Sequence, residues 1–249
     1  MLTIERRNAV LLVTFSRPEK RNSLHPDLIR DFTDALAQAD GDETLGAVVL
    51  TGTGSSFCAG LDLNHLLSLE SGGKVAYMRS FFALFREIYN LTQPVIAAVN
   101  GPAMGGGFDL AVACDLRLCS PEAKFAETEV LLGITQMIYP LYKIIGLSRA
   151  KELALTGNTI SAEEAYRIGL VNHIWPAGEL LEQALALAET LASRPRQALF
   201  ETKRLSRELI ELNTEAAFER MFDAVSERLE SEEHRHAAAK YAAGLKRRK

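Results

Sequence analysis

The chain has 249 residues, 47% of them hydrophobic and 24% charged, with a net charge of −4 at neutral pH. That length suffices for one well-buried core with a smaller appendage, and the slightly acidic balance speaks against general nucleic-acid binding, which goes with strongly basic domains. No apolar run approaches the ~20 residues of a membrane span, and the opening Met1-Leu2-Thr3-Ile4-Glu5-Arg6-Arg7 lacks the apolar stretch of a signal peptide, so a cytoplasmic protein with neither a membrane nor a nucleic-acid partner is expected.

In chain order, Thr3 to Ser16 reads as a hairpin whose second strand is Val10-Leu11-Leu12-Val13-Thr14-Phe15, interrupted at Asn8 and stopped at Arg17-Pro18. Pro26 opens an amphipathic helix, with Leu28, Ile29, Phe32 and Leu36 on one face and Asp27, Arg30, Asp31 and Asp34 on the other. Gly46-Ala47-Val48-Val49-Leu50-Thr51 is a continuous apolar run of strand length, as in sheets covered on both faces, and Gly52 to Ser56 ends it in a loop. A strand at Val95 to Val99, a helix over Gly105 to Ala113 and a strand at Leu116 to Cys119 complete an α/β alternation. From Leu180 onward the pattern is almost wholly helical. There Phe218, Phe222, Val225 and Leu229 form an apolar stripe that suits either an ordinary intrachain core face or a contact with another subunit.

The segment Asn100-Gly101-Pro102-Ala103-Met104-Gly105-Gly106-Gly107-Phe108-Asp109-Leu110-Ala111 carries the most chemistry. Three consecutive glycines let the backbone approach a ligand and aim its amides at it, and a helix starting there adds the positive end of its dipole. With Asp109 close behind, the arrangement suits a developing oxyanion beside an acid or base. A tight turn with no ligand is the plain alternative. A P-loop is excluded because no Lys-Ser/Thr follows the glycines, and a dinucleotide fingerprint because Leu110 stands where its last glycine belongs. Cys58, Cys114 and Cys119 contain no Cys-x-x-Cys pair and the five histidines no ligand spacing, so neither a disulfide framework nor a metal site is expected.

Eight segments together resemble the crotonase superfamily, the enoyl-CoA hydratase/isomerase family. They are Arg17-Pro18 with Asn22-Ser23-Leu24; Phe57-Cys58-Ala59-Gly60-Leu61-Asp62-Leu63; Asn100 to Ala111; Cys114-Asp115; Glu129-Val130-Leu131-Leu132-Gly133; Leu155-Thr156-Gly157; Ser161-Ala162-Glu163-Glu164-Ala165; and Gly169-Leu170-Val171. The resemblance implies an α/β fold, a crotonase-like spiral of repeated β-β-α units over 1–195 holding the acyl-CoA site. A helical region over 196–249 would then assemble the protein as a homotrimer or hexamer. It also implies a coenzyme A thioester as substrate, with no cofactor beyond the coenzyme that the substrate carries. By motif position the amides of Leu61 and Gly106 bind the thioester oxygen, and Glu129 and Asp109 are the catalytic acids. Lys20 and Arg21, with Ala59 and Leu61, are expected at the coenzyme.

Two departures bear on chemistry. Asp109 stands where the family's hydratases carry a glutamate; this resembles the dienoyl-CoA isomerases, but their further aspartate would fall at Met137. Where many members have Pro-Gly-x-Gly-Gly, this chain has Ile134-Thr135-Gln136-Met137-Ile138-Tyr139-Pro140, which makes Met137, Ile138 and Tyr139 the expected acyl pocket. Glu127 would share a face with Glu129 in an extended stretch, yet reads first as a solvated charge. Cys58 reads as packing, His65 as a residue without a catalytic role, and the basic tail Lys246-Arg247-Arg248-Lys249 as a solvated terminus rather than a phosphate contact. The leading expectation is hydration of a 2-enoyl-CoA. A Δ3,Δ2-enoyl-CoA isomerase using Glu129 alone comes second, then a hydrolase or decarboxylase of the same superfamily, and last a non-catalytic acyl-CoA-binding protein.

Overall fold

Hydrophobic alternation and punctuation by Asn, Pro and Gly place the elements where the sequence suggests. The computed structural model describes residues 1–246, the side chain of Lys246 excepted; the tail residues Arg247 to Lys249 lie outside the described residues. Leu2–Arg7 (β1) and Val10–Phe15 (β2) form the expected hairpin, with Leu2 opposite Phe15 and Arg7 opposite Val10. Asn8 takes the turn at φ 54°, a left-handed conformation that Asn tolerates. Pro26–Asp40 (α1) starts at its proline, with His25 Nδ1 accepting from the Asp27 amide at 3.3 Å. Its apolar face, Leu28, Ile29, Phe32, Ala35, Leu36 and Ala39, is buried.

Ala47–Gly52 (β3) leads through Leu63–Ser68 (α2) and the long helix Ser71–Asn90 (α3) to Val95–Val99 (β4). There follow Ala103–Met104 (β5), Gly106–Ala113 (α4), Leu116–Cys119 (β6), Lys124–Ala126 (β7), Leu141–Ile145 (α5), Leu147–Thr156 (α6), Ile160–Ser161 (β8), Ala162–Arg167 (α7), His173–Ile174 (β9) and Leu180–Ala192 (α8). The main sheet runs β1-β2-β3-β4-β6-β9 and is parallel from β2 onward. A second sheet, β5-β7-β8, joins β5 to β7 in parallel and β7 to β8 antiparallel. The central strands β3 and β4 are buried almost throughout, which is why they read as unbroken apolar runs rather than alternating ones. Every residue of α4 is buried, so this helix is apolar all round with Asp109 enclosed in it.

The chain forms two compact units, Met1–Glu189 and the remainder from Thr190. In the second, Arg196–Glu208 (α9), Thr214–Leu229 (α10) and Glu232–Lys246 (α11) follow one another. Arg220 of α10 is paired with Glu201 and Glu208 of α9, both at 2.9 Å. The stripe Phe218, Phe222, Val225 and Leu229 is 62%, 69%, 56% and 55% exposed, so it is not a core face of its own unit. Among the described residues no helix is long and apolar enough to cross a membrane.

Candidate active site

Two asparagines shape the frame. Asn22 Nδ2 donates to the carbonyls of Thr53 and Ser56 at 2.9 and 2.8 Å. Asn100 accepts from the Gly52 amide at 3.1 Å and donates to the Gly54 carbonyl at 3.0 Å. These bonds satisfy backbone groups at the end of β3 and in the loop that follows it. Against this frame the Phe57–Leu61 segment is pressed onto the start of α4. The Met104 amide donates to the Cys58 carbonyl at 3.0 Å. A Cβ on Gly107 would lie 2.2 Å from the Cys58 oxygen, and one on Gly60, at φ 86°, would lie 2.7 Å from the Met104 oxygen and 3.1 Å from the Gly106 nitrogen. Only glycine permits this approach.

The approach sets Gly60, the residue before Leu61, against Gly106, and the amides of Leu61 and Gly106 are the ones expected to bind a thioester oxygen. Leu24 donates to the Gly60 carbonyl at 2.8 Å and the Asp62 amide reaches the Leu24 carbonyl at 3.5 Å, so in this extended stretch the intervening Leu61 N–H is directed to the opposite side. Gly106 is the first residue of α4, where a helix amide lacks an intrahelical acceptor. The Leu61 loop is held by residues to which the sequence assigned no role. Asp62 Oδ2 accepts from Arg17 and from Ser23 Oγ, all at 3.3 Å, while the Asp62 amide donates to the Tyr77 hydroxyl at 2.9 Å and that hydroxyl donates to the Leu24 carbonyl. Burial raises the Asp62 carboxyl, but the His65 amide, Arg17 and Ser23 outweigh it and hold it below the usual carboxylate range. The only local mark at Asp62 is its cap on the His65 amide three residues later, which signals a helix start and not these partners.

The acids reach the same place from the other side. The Gly105 amide donates to the Ala126 carbonyl at 2.8 Å, so the segment after β7 runs along the start of α4. A Cβ on Gly105 would lie 2.7 Å from Glu129 Oε1 and 2.8 Å from Thr128 Oγ1. Burial pushes the Glu129 carboxyl up, and the amides of Glu129 itself, Thr128 and Gly106 oppose this without cancelling it. The start of α4 therefore lies directly against the Glu129 carboxyl. Asp109, one turn into α4 and 2% exposed, is raised well above the usual range by burial and by the Glu129 charge.

Glu127 corrects the sequence reading. It is fully buried rather than solvated, and Glu129 lies in a short 3-10 turn, Glu129–Leu132, rather than in an extended stretch. Its carboxylate accepts from Gln136 Nε2, and burial together with the charges of Asp109 and Glu129 pushes it up to about 10. The default of an exposed glutamate failed here because the bond of the Gly105 amide to the Ala126 carbonyl carries Glu127 against the buried start of α4.

Met137, Ile138 and Tyr139 do come together, in a cleft of about 840 Å³ whose other wall is α3, with Arg79, Phe82, Phe85 and Arg86. Gln136 lines the same cleft and so links it to the acids. Lys20 and Arg21 are exposed, and the Arg21 carbonyl accepts from the Ala59 amide at 2.9 Å, so the expected coenzyme residues lie beside Leu61. Cys58 is buried and its thiol is pushed up to about 12 by desolvation, as packing requires. The His65 ring lies 5.1 Å from Tyr77 and 5.2 Å from His25, away from the acids' hydrogen bonds.

Residues 5–247 match the enoyl-CoA hydratase/isomerase family. A short-chain-enoyl-CoA hydratase of Clostridium acetobutylicum is 35% identical over 228 residues, 87% of this chain and 85% of that protein. A 4-chlorobenzoyl coenzyme A dehalogenase of Arthrobacter is 32% identical over 201 residues, 78% of this chain and 73% of that protein. Among solved structures, an enoyl-CoA hydratase from Bacillus anthracis superposes with a TM-score of 0.94 at 29% identity, covering 98% of this chain and 96% of that one. With this match over nearly the whole chain and the glycine-cleared approach to α4, the chain belongs to the enoyl-CoA hydratase/isomerase family.

Proposed function

We propose that the protein is an enoyl-CoA hydratase, adding water across the double bond of a 2-enoyl-CoA thioester. The observation that carries this reading is the convergence of the Gly106 amide, Glu129 and the enclosed Asp109. Hydration needs one carboxylate to take a proton from water, a carboxylic acid to give one to the α-carbon, and donors for the oxygen that becomes negative between these events. In this reading Glu129, beside the Gly106 amide, serves the α-carbon and Asp109 serves the water. The Leu61 and Gly106 amides stabilise the enolate oxygen; loss of one such donor typically costs ~10²–10³ in rate. Lys20 and Arg21 offer charge to the coenzyme's phosphates. Met137, Ile138 and Tyr139 with Phe82 and Phe85 offer the acyl chain an apolar wall. We also propose that the α10 stripe is covered by other copies of the chain in a trimer or hexamer, and that the enzyme works in the cytoplasm.

The second reading, isomerisation of a 3-enoyl-CoA, draws on Asp109 being shorter than glutamate and on the apolar run Met137-Ile138-Tyr139; one carboxyl, Glu129, would suffice for it. Incubation with crotonyl-CoA and separately with a 3-enoyl-CoA decides between them. Hydration adds the mass of water to the product and isomerisation adds none. Gain of water on crotonyl-CoA supports the first reading; mass-neutral conversion of the 3-enoyl thioester with crotonyl-CoA unchanged replaces it by the second.

A further inference from the structure

Helix α3 passes three parts of the site in turn. Tyr77 holds the Asp62 amide and the Leu24 carbonyl, the Phe81 ring lies 3.1 Å from where a Cβ on Gly106 would stand, and the Tyr89 hydroxyl lies 3.3 Å from that of Tyr139. Between these points Arg79, Phe82 and Arg86 share one face, which lines the acyl cleft opposite Gln136 to Tyr139. The cleft adjoins the acids through Gln136, which donates to Glu127, and the start of α4 through Phe82, whose ring lies 6.2 Å from that of Phe81. Its wall is apolar at Phe82, Phe85, Met137 and Ile138, yet two cations stand in it and, among the described residues, no carboxylate lines it. Arg79 and Arg86 are exposed, and among the described residues neither guanidinium has a hydrogen bond or an ion pair. Elsewhere the helices pair their arginines: Arg30, Arg149, Arg167 and Arg204 each reach an acid three or four positions away on the same helix. Helix α3 offers no such partner, since its one acid, Glu87, is adjacent to Arg86 rather than a turn away.

We propose that Arg79 and Arg86 bind a carboxylate at the far end of the acyl chain, so that the substrate is the 2-enoyl thioester of a dicarboxylic acid. The hydratase reading above puts the acyl chain in this cleft, and the assignment rests on that reading. A guanidinium presents two parallel N–H donors that match a carboxylate, and here two of them flank Phe82 on one helix face. Arg86 lies five residues beyond Phe81, about 7–8 Å along the helix axis, which leaves room for a few methylenes between the reacting carbons and the charged end. Those methylenes meet Phe82, Met137 and Ile138. An apolar wall alone would reject a carboxylate, because nothing would replace its water; the two cations do. A chain ending in a methyl group gains the apolar contacts and leaves both cations unpaired. Because the protein is acidic overall, with a net charge of −4, it exerts no general attraction on such a substrate, and the recognition has to be local.

The test compares 2-hexenedioyl-CoA with 2-hexenoyl-CoA, two thioesters of equal chain length that differ only in a terminal carboxylate. Wild type should hydrate the dicarboxylic thioester with a kcat/KM about 10-fold or more above that for its methyl-ended counterpart. In Arg79→Gln, Arg86→Gln and the double variant, the loss on 2-hexenedioyl-CoA should exceed the loss on 2-hexenoyl-CoA by about 10–10²-fold, the range for a lost hydrogen bond to a charged group. Equal rates on the two thioesters in wild type, or variants that slow both alike, overturn the carboxylate site while leaving the hydratase reading in place. A second readout needs no turnover. Adipoyl-CoA and hexanoyl-CoA carry no double bond to hydrate, and by titration calorimetry adipoyl-CoA should bind wild type about 10-fold more tightly, a preference that the double variant loses. Equal affinities overturn the site. So does a double variant that binds free coenzyme A as much more weakly as it binds adipoyl-CoA, since the arginines would then be contacts of the coenzyme's phosphates. Wild type inert toward both enoyl thioesters would remove the hydratase reading, and the calorimetric preference would then decide the carboxylate site by itself.

Discussion

Glu129→Gln keeps the size of the side chain while removing its ability to exchange a proton, so it separates chemistry from packing at one residue. A loss of about 10²–10⁴-fold in kcat is expected for a general acid-base group, with thermal stability little changed; activity within a few-fold of wild type would show that Glu129 is not the acid. The enclosed carboxyls also have a thermodynamic consequence. Asp109, Glu127 and Glu129 are all raised above their ordinary values, Glu127 to about 10. The native state therefore holds protons that the unfolded chain has released, and stability present at low pH is lost as pH rises through this window. Glu127→Gln removes that dependence at one position. Its melting temperature should exceed that of wild type at about pH 8–9, with the difference closing toward about pH 4–5, where the glutamate is protonated in both states. A difference that is constant with pH would show that Glu127 is not held protonated by the fold.

At the scale of elements, the start of α4 is the part on which the site depends. Gly107→Ala would force a Cβ to 2.2 Å from the Cys58 carbonyl oxygen, and backbone does not give as a flexible side chain does. Relief requires α4 and the Cys58–Leu61 segment to part, which separates the two amides. Overpacking of this kind typically costs ~1–3 kcal/mol, and displacement of one oxyanion donor ~10²–10³ in kcat; denaturant unfolding and steady-state kinetics on one preparation measure both. Rates unchanged in the folded variant would place the thioester oxygen elsewhere. The glycine run was legible because three glycines between a buried strand and an apolar helix have few uses. The hairpin, α1, β3, β4 and β6 were legible for a related reason: each is set by periodicity and punctuation within its own few residues. Tyr77, Arg17 and Asp62, which brace the Leu61 loop, were not legible in that role. Their partners lie 15 to 53 positions away in sequence, and nothing local marks such a pairing. Glu127 was misread for the same reason: its burial follows from the pairing of β7 with β5, which nothing in its own segment marks.

At the scale of the whole molecule, the four stripe residues of α10 are each more than half exposed within the single chain. They recur on one face, so the exposure is contiguous rather than scattered, and contiguous apolar surface on a soluble protein marks a contact. A closed ring of identical chains covers such a face on every copy at once. Phe222→Asp places a charge in the middle of it. If the face is covered by a second copy, enclosing an unpaired charge costs several kcal/mol, so analytical ultracentrifugation at micromolar concentration should show wild type as a trimer or larger and the variant as smaller, folded species. Because Phe222 is 69% exposed in the chain by itself, the substitution should leave the circular dichroism of the separated subunit intact. Wild type sedimenting as a monomer would remove the assembly. A variant that unfolds without passing through a smaller folded species would mean that α10 holds its structure only within the assembly, a coupling visible as a wild-type melting temperature that rises with protein concentration.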